Sequence, residues 1–337
     1  MRPQYAPLLL LTTALAAACT GSSPSSPSPS SPPIAPERLV EGVAVNAVDG
    51  TAAAGLTVRV NTATAATTDA AGYFRAEVNK AGSHATTITG PSIVERQTLV
   101  SSPSTGPARM SVIPASFDLV AFDEMFRTAN ARLQRWTTRP VLVVLASVMS
   151  YRMPADEYLA TSQQMSDDEV SLLIAHLTEG LSLLTGATYT SFERVDIERP
   201  ASGTRALVAR PGTIVVGRYN GILTFAQTVG YGRWAETPEG AVNGGAMFLD
   251  SGFDKDDARR RLLRIHELGH ALGYLHVESR SSIMNPSLGP EPTEFDRAAA
   301  IVAFQRQPGN VSPDIDPMSS ARNPFAAGQV RWTGFVP

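Results

Sequence analysis

The sequence predicts an α+β protein that is preceded by a small all-β sandwich. Short alternating runs fill residues 38–112, with turn residues about every ten positions, and this spacing is typical of antiparallel strands. From residue 139 onward, apolar runs typical of buried strands alternate with longer stretches at helical spacing. The run at residues 141–145 is the first such strand, and the stretch that follows Ser166 is the first long helix.

The composition describes a globular and nearly neutral protein. The chain has 337 residues, a length that favours two domains, with 43% hydrophobic and 18% charged residues. Its net charge of −3 and isoelectric point of about 6.0 provide no positive surface for nucleic acid, so we expect no such partner. The one cysteine excludes an intrachain disulfide. The sequence leaves the oligomeric state open.

The N-terminus has the pattern of an exported protein. Arg2 precedes an apolar run at residues 8–18 that ends at Cys19, which is typical of a secretory signal peptide spanning residues 1–19. The preceding LAAA resembles the lipobox of bacterial lipoproteins, although Ala16 stands where leucine is usual. The resemblance implies that an acylated Cys19 anchors the protein to a membrane surface of the bacterial cell envelope, on its periplasmic or extracellular face. Ordinary signal cleavage that leaves a free thiol is the alternative.

Three further segments precede the second domain. Residues 20–37 are almost wholly serine and proline, which predicts an unfolded linker. In residues 38–112 the pieces VDG, AGLTV and TDAAGYF resemble the carboxypeptidase regulatory-like domains, which implies a prealbumin-like sandwich that serves as a docking module or spacer. Residues 113–138 bridge to the next domain, with a helix predicted at residues 128–136. This bridge either packs on the second domain or obstructs its cleft.

The second domain is predicted to span residues 139–308. A helix begins at Ser166 with acidic residues in its first turn, where they favour the positive end of the helix dipole. Another helix is predicted to begin near Asp254 and to continue through the histidine-rich stretch. A last helix opens at Thr293, and the tail at residues 309–337 reads as loop.

The stretch HELGHALGYLH carries the candidate chemistry. On a helix, His266 and His270 stand one turn apart on one face, and Gly273 allows the chain to turn so that His276 becomes a third ligand. Three neutral imidazoles hold Zn²⁺ and leave one position for water, which is typical of a catalytic site. Glu267 lies beside the first ligand, where it can take a proton from that water. The alternative is a helix whose histidines are solvated or satisfied in a core.

The zinc motif and the sequence that follows it resemble the metzincin metallopeptidases. Met284, in the stretch SSIMNP, matches the methionine that those enzymes place beneath the metal; a core methionine that fills a gap is the alternative. The IMNP and TEFD stretches are most similar to the matrixins. That resemblance implies a mixed, mostly parallel sheet, a long zinc-binding helix and a C-terminal helix. It also implies one catalytic zinc ion; a calcium site is possible but has no support in the sequence.

The resemblance further implies a zinc endopeptidase that cleaves extracellular or periplasmic proteins or peptides. Gly245 and Ala246 would then lie on a cleft-edge strand that pairs with an extended substrate. A glycine-rich loop without a substrate role is the alternative. Two other functions stay open: a zinc hydrolase of another bond, and a non-catalytic surface-binding lipoprotein.

Overall fold

The computed structural model describes residues 38–61, 64–127, 131–318 and 331–333. These residues belong to one compact unit. The predicted signal peptide at residues 1–19 with Cys19, and the linker at residues 20–37, lie outside the described residues. In the part that is described, none of the helices combines the length and the apolar character needed to cross a bilayer.

The N-terminal region contains two facing sheets. One sheet has the order β4-β1-β7 and the other has the order β3-β2-β5-β6. Buried side chains alternate along the strands, and Val40, Val58, Phe74 and Ile88 meet between the two sheets. The strands are β1 (Leu39–Asn46), β2 (Thr57–Val60), β3 (Thr64–Thr67), β4 (Tyr73–Glu77), β5 (Gly82–Thr89), β6 (Arg96–Ser102) and β7 (Ala108–Val112).

The helix of the bridging segment lies earlier in the chain than the sequence predicts. Helix α1 (Leu119–Phe126) begins after Asp118, whose carboxylate accepts the amide of Ala121. The helix predicted at residues 128–136 is wrong for residues 131–136, which are the part of it that the structure describes. Residues 135–136 form strand β8 (Arg135–Trp136), and the amide of Leu133 donates to the carbonyl of Asn310. Because that amide bonds to a distant part of the chain, it is not available to a helix.

The remaining chain is built on a nine-stranded sheet with the order β12-β10-β9-β13-β15-β14-β16, with β11 beside β9 and β8 beside β15. Its elements are β9 (Val141–Ser150), β10 (Glu157–Gln164), α2 (Asp167–Leu184), β11 (Val195–Glu198), β12 (Arg205–Leu207), β13 (Thr213–Asn220), α3 (Ile222–Phe225), β14 (Gly230–Glu236), β15 (Ala241–Asp250), α4 (Ser251–Asp256), α5 (Arg260–Ala271), α6 (Glu294–Phe304) and β16 (Arg331–Trp332).

The predicted fold class is wrong in its balance of elements. Within the described residues the protein is mainly β, with sixteen strands and six helices. The sheet is not mostly parallel, because four of its strand pairs are parallel and four are antiparallel. Short connections such as the one between β14 and β15 favour antiparallel neighbours, and a run of apolar residues does not reveal strand direction.

The predicted long helix through the histidines is two helices. Helix α4 ends at Asp256, and Asp257 has extended backbone angles. The carboxylate of Asp257 accepts the amide of Arg259 at 2.7 Å, and α5 begins only at the next residue. This local bond competes with a continuous helix, so the metal motif lies on a helix of 12 residues.

Helices α2 and α5 pack on one face of the sheet, and Gly180 of α2 allows their close approach. A Cβ at Gly180 would lie 3.1 Å from a methyl group of Leu268. Helix α2 begins after Ser166, as the sequence predicts, and Ser166 and Glu169 form a capping box. The core of this region therefore lies directly behind the histidine-bearing helix.

Candidate metal centre

Helix α5 and the turn after it bring three imidazoles together. His266 and His270 lie one turn apart, and the centres of their rings are 4.8 Å from each other. The ring of His276 returns to within 4.8 Å of His270. The Nε2 atom of His270 lies 3.1 Å from that of His266 and 3.2 Å from that of His276. The structure thus brings together the three residues that the sequence predicts as metal ligands.

Backbone carbonyls determine which ring nitrogen of the two helical histidines carries the proton. Nδ1 of His266 lies 2.7 Å from the carbonyl oxygen of Ile283, and Nδ1 of His270 lies 2.8 Å from that of Tyr274. A carbonyl only accepts, so each Nδ1 donates. The Nε2 lone pairs of both rings then face the centre of the cluster, which is the arrangement of metal-bound histidines whose other ring nitrogen donates to a carbonyl.

The cluster fits a zinc ion. Nitrogen ligands at 2.0–2.1 Å from a tetrahedral Zn²⁺ are about 3.3 Å apart, close to the two observed separations of 3.1 and 3.2 Å. Two lone pairs at that distance repel each other unless a cation lies between them. The candidate ligand atoms of the three histidines all lie within 4.8 Å of one another. These residues therefore suit one small divalent ion with nitrogen ligands.

Burial keeps the imidazoles neutral. Loss of solvent lowers the pKa of His266 to about 4, although the bond to Ile283 acts in the opposite direction. Burial lowers the pKa of His270 well below its usual value and also lowers the pKa of His276. Neutral imidazole is the form that binds a metal, so the site is prepared for an ion at neutral pH.

Glu267, which follows the first histidine in the sequence, is buried, and one of its carboxyl oxygens is unpartnered among the described residues. Its side chain is only 3% exposed, and Oε2 has no hydrogen-bond partner among the described residues. Burial raises the pKa of this carboxyl well above its usual range. A carboxyl whose pKa is raised in this way favours the protonated form in the metal-free site, whereas a bound divalent cation favours the ionised form. Glu267 is therefore the candidate proton acceptor of the metal-loaded site.

Gly273 and Met284, the two predicted structural residues, both lie close to the histidines. Gly273 has a φ of 99°, and a Cβ there would lie 2.9 Å from Val242, so only glycine fits the turn that returns the chain to His276. The sulfur of Met284 fills the space in which a Cβ at Gly269 would stand, directly against α5. The carbonyl of Met284 also accepts the amide of Val277 at 2.8 Å, next to the third histidine.

The predicted substrate strand is wrong. Gly245 and Ala246 lie on β15, which is paired with β13 on one side and β14 on the other, so this strand has no free edge at these residues. Gly245 instead allows close packing on α5, because a Cβ there would lie 2.7 Å from the carbonyl of Ala271. Glycine in a strand marks a close backbone approach, but its partner here is a helix rather than a peptide.

Sequence reasoning missed the strand that forms the wall of the site. A Cβ at Gly230 of β14 would lie 2.9 Å from Oε1 of Glu267, and a Cβ at Gly232 would lie 2.5 Å from Cβ of His270. Both glycines are needed for β14 to pack against α5. The alternating glycines of the stretch GYG were the available signal, since a strand uses alternate residues for one face.

Comparison with known proteins returned distant structural matches. The chain matches no model of a known protein family, and no curated protein matches it. One similar solved structure is a C-terminal interface mutant of a type II cohesin–X-dockerin complex from Acetivibrio cellulolyticus, with 24% identity, 22% of this chain and 51% of that chain covered, and a TM-score of 0.17. The corresponding N-terminal interface mutant has 24% identity, coverage of 23% and 55%, and the same TM-score of 0.17.

The chain spans about half the length of the cohesin–X-dockerin chains that it matches. A TM-score of 0.17 does not establish a common overall fold, so the architecture of this protein follows from its own strands and helices. The match covers less than a quarter of this chain.

The family prediction requires a correction. The motifs predicted a matrixin-like metzincin with a carboxypeptidase regulatory-like domain, whereas the comparisons returned cohesin–X-dockerin complexes. The mainly β content and the equally mixed sheet also differ from the predicted architecture. Neither the family nor the zinc endopeptidase activity that it implied is retained. The geometry of the three histidines and Glu267 is observed directly and does not depend on that assignment.

Proposed function

We propose that this protein binds one Zn²⁺ ion through His266, His270 and His276 and acts as a zinc-dependent hydrolase of a bond other than the peptide bond, such as an ester. One observation carries the proposal: three Nε2 atoms converge, and the residue that follows the first histidine is a buried glutamate with an unpartnered oxygen. A structural zinc site has four protein ligands, whereas three ligands and a free carboxylate are typical of a hydrolytic site.

The residues of the metal centre have different roles in the proposed hydrolysis. When bound, Zn²⁺ supplies Lewis acidity that polarises a substrate carbonyl and activates water. The three imidazoles hold the ion, and the carbonyls of Ile283 and Tyr274 fix the orientation of two of the rings. Glu267 accepts a proton from the attacking water at its free oxygen and returns it to the leaving group. Strand β14 closes one side of the site and limits the approach of bulk solvent to Glu267.

Metal analysis combined with an ester assay tests this function. We expect one zinc per purified chain and hydrolysis of p-nitrophenyl acetate that a chelator abolishes and added zinc restores. Glu267→Gln should keep the zinc and lose the hydrolysis, whereas His270→Ala should lose both. Zinc that is bound without any hydrolysis would favour the non-catalytic binding protein. Absence of zinc from the wild-type protein would overturn the proposal altogether.

The proposed zinc-dependent activity does not depend on the lipid anchor or on the cellular location of the protein. Acylation of Cys19 and placement at the cell envelope stay predictions from the sequence, since Cys19 lies outside the described residues. Neither is needed for the metal centre. Radiolabelled fatty acid incorporated into the wild-type chain, and absent from Cys19→Ser, is the measurement that would establish the anchor.

A further inference from the structure

Helix α1 lies outside the segment that was predicted to carry the site, yet it packs against the loop that carries the third histidine. This ligand loop, residues 274–280, follows α5 and contains His276. The ring of Phe126 in α1 packs edge-on against Tyr274, with the ring centres 4.5 Å apart, and both residues are buried. The bridging segment therefore packs on the region that holds the metal centre.

Backbone bonds hold the residues on either side of His276. The amide of Leu275 donates to the carbonyl of Met125 in α1 at 2.9 Å. The amide of Val277 donates to the carbonyl of Met284 at 2.8 Å. The third ligand is thus held between α1 on one side and the segment that contains Met284 on the other.

Glu124 of α1 accepts three hydrogen bonds from the ligand loop. Its Oε2 accepts the amide of Glu278 at 3.0 Å, the amide of Ser279 at 3.1 Å and the hydroxyl of Ser279 at 2.8 Å. A single carboxylate oxygen therefore gathers three donors from two consecutive residues. Hydrogen bonds to a charged acceptor are shorter and stronger than neutral ones, so this contact fixes the loop only two residues beyond His276.

His276 depends on such support more than the other two ligands do. His266 and His270 are on a helix, and each donates Nδ1–H to a carbonyl. Among the described residues, Nδ1 of His276 has no such acceptor, and its side chain is only partly buried. The position of its ring is therefore set by the backbone of the ligand loop.

We propose that Glu124 is a positioning residue for the metal centre: its carboxylate holds the ligand loop so that His276 faces His266 and His270. The inference rests on the proposed zinc site and adds a residue from outside the motif to it. Burial raises the pKa of Glu124, but the bonds from Ser279 and Glu278 outweigh that effect and lower it. The group is therefore an ionised acceptor at neutral pH.

Substitutions on α1 test this role. Glu124→Ala removes all three bonds, and Glu124→Gln keeps an acceptor oxygen without the charge. Asp123→Asn is the matched control, because Asp123 lies on the same helix but contacts Arg127 and Ser312 instead of the ligand loop. The control shows what a general loosening of α1 does to the metal centre.

The measurements are the zinc dissociation constant, from competition with a chromophoric chelator, and the visible spectrum of the Co²⁺-substituted protein. Removal of an outer-shell partner weakens metal binding about tenfold to a hundredfold, and the partial exposure of Glu124 places the expected loss for Glu124→Ala near tenfold. Glu124→Gln should recover part of it, and the Co²⁺ absorption should change in Glu124→Ala and not in Asp123→Asn.

Three outcomes would overturn the inference. Equal zinc affinity in Glu124→Ala and wild type would show that the ligand loop does not need the carboxylate. An equal loss in Asp123→Asn would show that general stability of α1 is responsible. A wild-type protein that binds no zinc would refute the metal centre itself, and the inference with it, so the two failures are distinguishable. If Glu124→Ala does not fold, Glu124→Gln carries the same comparison.

Discussion

Arg264 of the histidine-bearing helix forms a two-pronged ion pair with Asp254, at 2.7 Å from Nε to Oδ1 and 2.9 Å from Nη2 to Oδ2. Both side chains are buried. Arg218 of β13 bonds to the same carboxylate at 2.7 Å. One carboxylate thus joins α4, α5 and the central sheet, and it fixes the position of the helix that carries two metal ligands.

Replacement of Asp254 with asparagine should strongly destabilise the protein. The substitution leaves the buried Arg264 without an acidic partner among the described residues and Arg218 with Glu169 alone, and breaking a buried pair in this way costs about 3–5 kcal/mol. Urea unfolding measures the effect. Asp257→Asn, at a partly exposed residue of the same connection, should change the free energy of unfolding far less. Similar losses in the two variants would contradict the prediction.

A second buried cluster should make the sandwich and the metal-binding region unfold together. Arg96 of β6 pairs with Asp314 at 2.9 Å and with Asp316 at 2.7 Å, and Arg306 at the end of α6 pairs with Asp314 at 2.7 Å. Arg96→Ala should lower stability by about 3 kcal/mol, since it removes one of the two buried cations that compensate the carboxylates of Asp314 and Asp316. The exposed Arg75 supplies the control, Arg75→Ala.

Calorimetry of the wild-type protein is the direct measurement for this cluster. We expect one cooperative transition for the sandwich and the rest of the described chain, because the paired charges are closed off from solvent. Two separate transitions would show that the regions predicted as residues 38–112 and 139–308 are energetically independent. In that case Arg96→Ala would affect only one of them.

Acid should remove the contribution of Glu169. Burial raises the pKa of this carboxyl, but the bonds from Arg218 and Ser166 outweigh it and lower the pKa from 4.5 to about 2. A pKa that is lower in the folded state stabilises the fold above about pH 4.5, and this stabilisation is lost as the pH falls toward 2. Because the side chain is 28% exposed, we expect only about 1 kcal/mol.

The comparison for this prediction is Glu169→Gln, which keeps a side chain that can complete the capping box. Its free energy of unfolding should fall below that of wild type at pH 7, and the difference should narrow below about pH 4.5. Urea unfolding at several pH values measures it. A difference that is independent of pH would exclude the charge of Glu169 as the cause.

Zinc should stabilise the wild-type protein and not a ligand variant. A ligand that binds only the folded state at one hundred times its dissociation constant adds about 2.7 kcal/mol to the free energy of unfolding. We therefore expect added zinc to raise the melting temperature of the wild-type protein after chelator treatment. His276→Ala should show little change over the same zinc range. An equal rise in both proteins would place the bound zinc elsewhere.

A methyl group at Gly230 should disturb Glu267 without removing the metal ligands. The added Cβ would lie 2.9 Å from Oε1 of Glu267 and 3.0 Å from a methyl group of Leu263, so the carboxylate has to move. We expect Gly230→Ala to retain zinc and to reduce ester hydrolysis about tenfold to a hundredfold. Gly106→Ala is the control, since its Cβ would meet nothing within 4 Å. Unchanged hydrolysis would show that β14 does not position Glu267.

The sequence was sufficient to predict features that depend on residues only a few positions apart. A spacing of four residues places His266 and His270 on one face of any helix, and Gly273 permits the turn that follows. The capping box at Ser166 is likewise a contact between residues three positions apart. Such features need no knowledge of the rest of the chain, and for that reason they could be predicted.

Strand direction, edges and distant partners could not be predicted in this way. Gly245 is enclosed by strands from both sides, and only the pairing of the whole sheet decides this. The break before α5 depends on Asp257, whose carboxylate accepts the amide of Arg259 in a local turn and so interrupts the helix. The resemblance of short motifs to a family also did not determine the architecture, because motifs record a site and not the packing around it.

The sequence by itself determined the candidate ligands and the candidate base: three imidazoles and one carboxylate within eleven residues. Tertiary structure alone decided what surrounds them, namely the carbonyls that orient two rings, the glycines of β14 against Glu267, and the carboxylate of Glu124 on the ligand loop. Helical spacing is set by covalent geometry, whereas contacts between different segments, such as the one between Glu124 and Ser279, depend on how the whole chain packs.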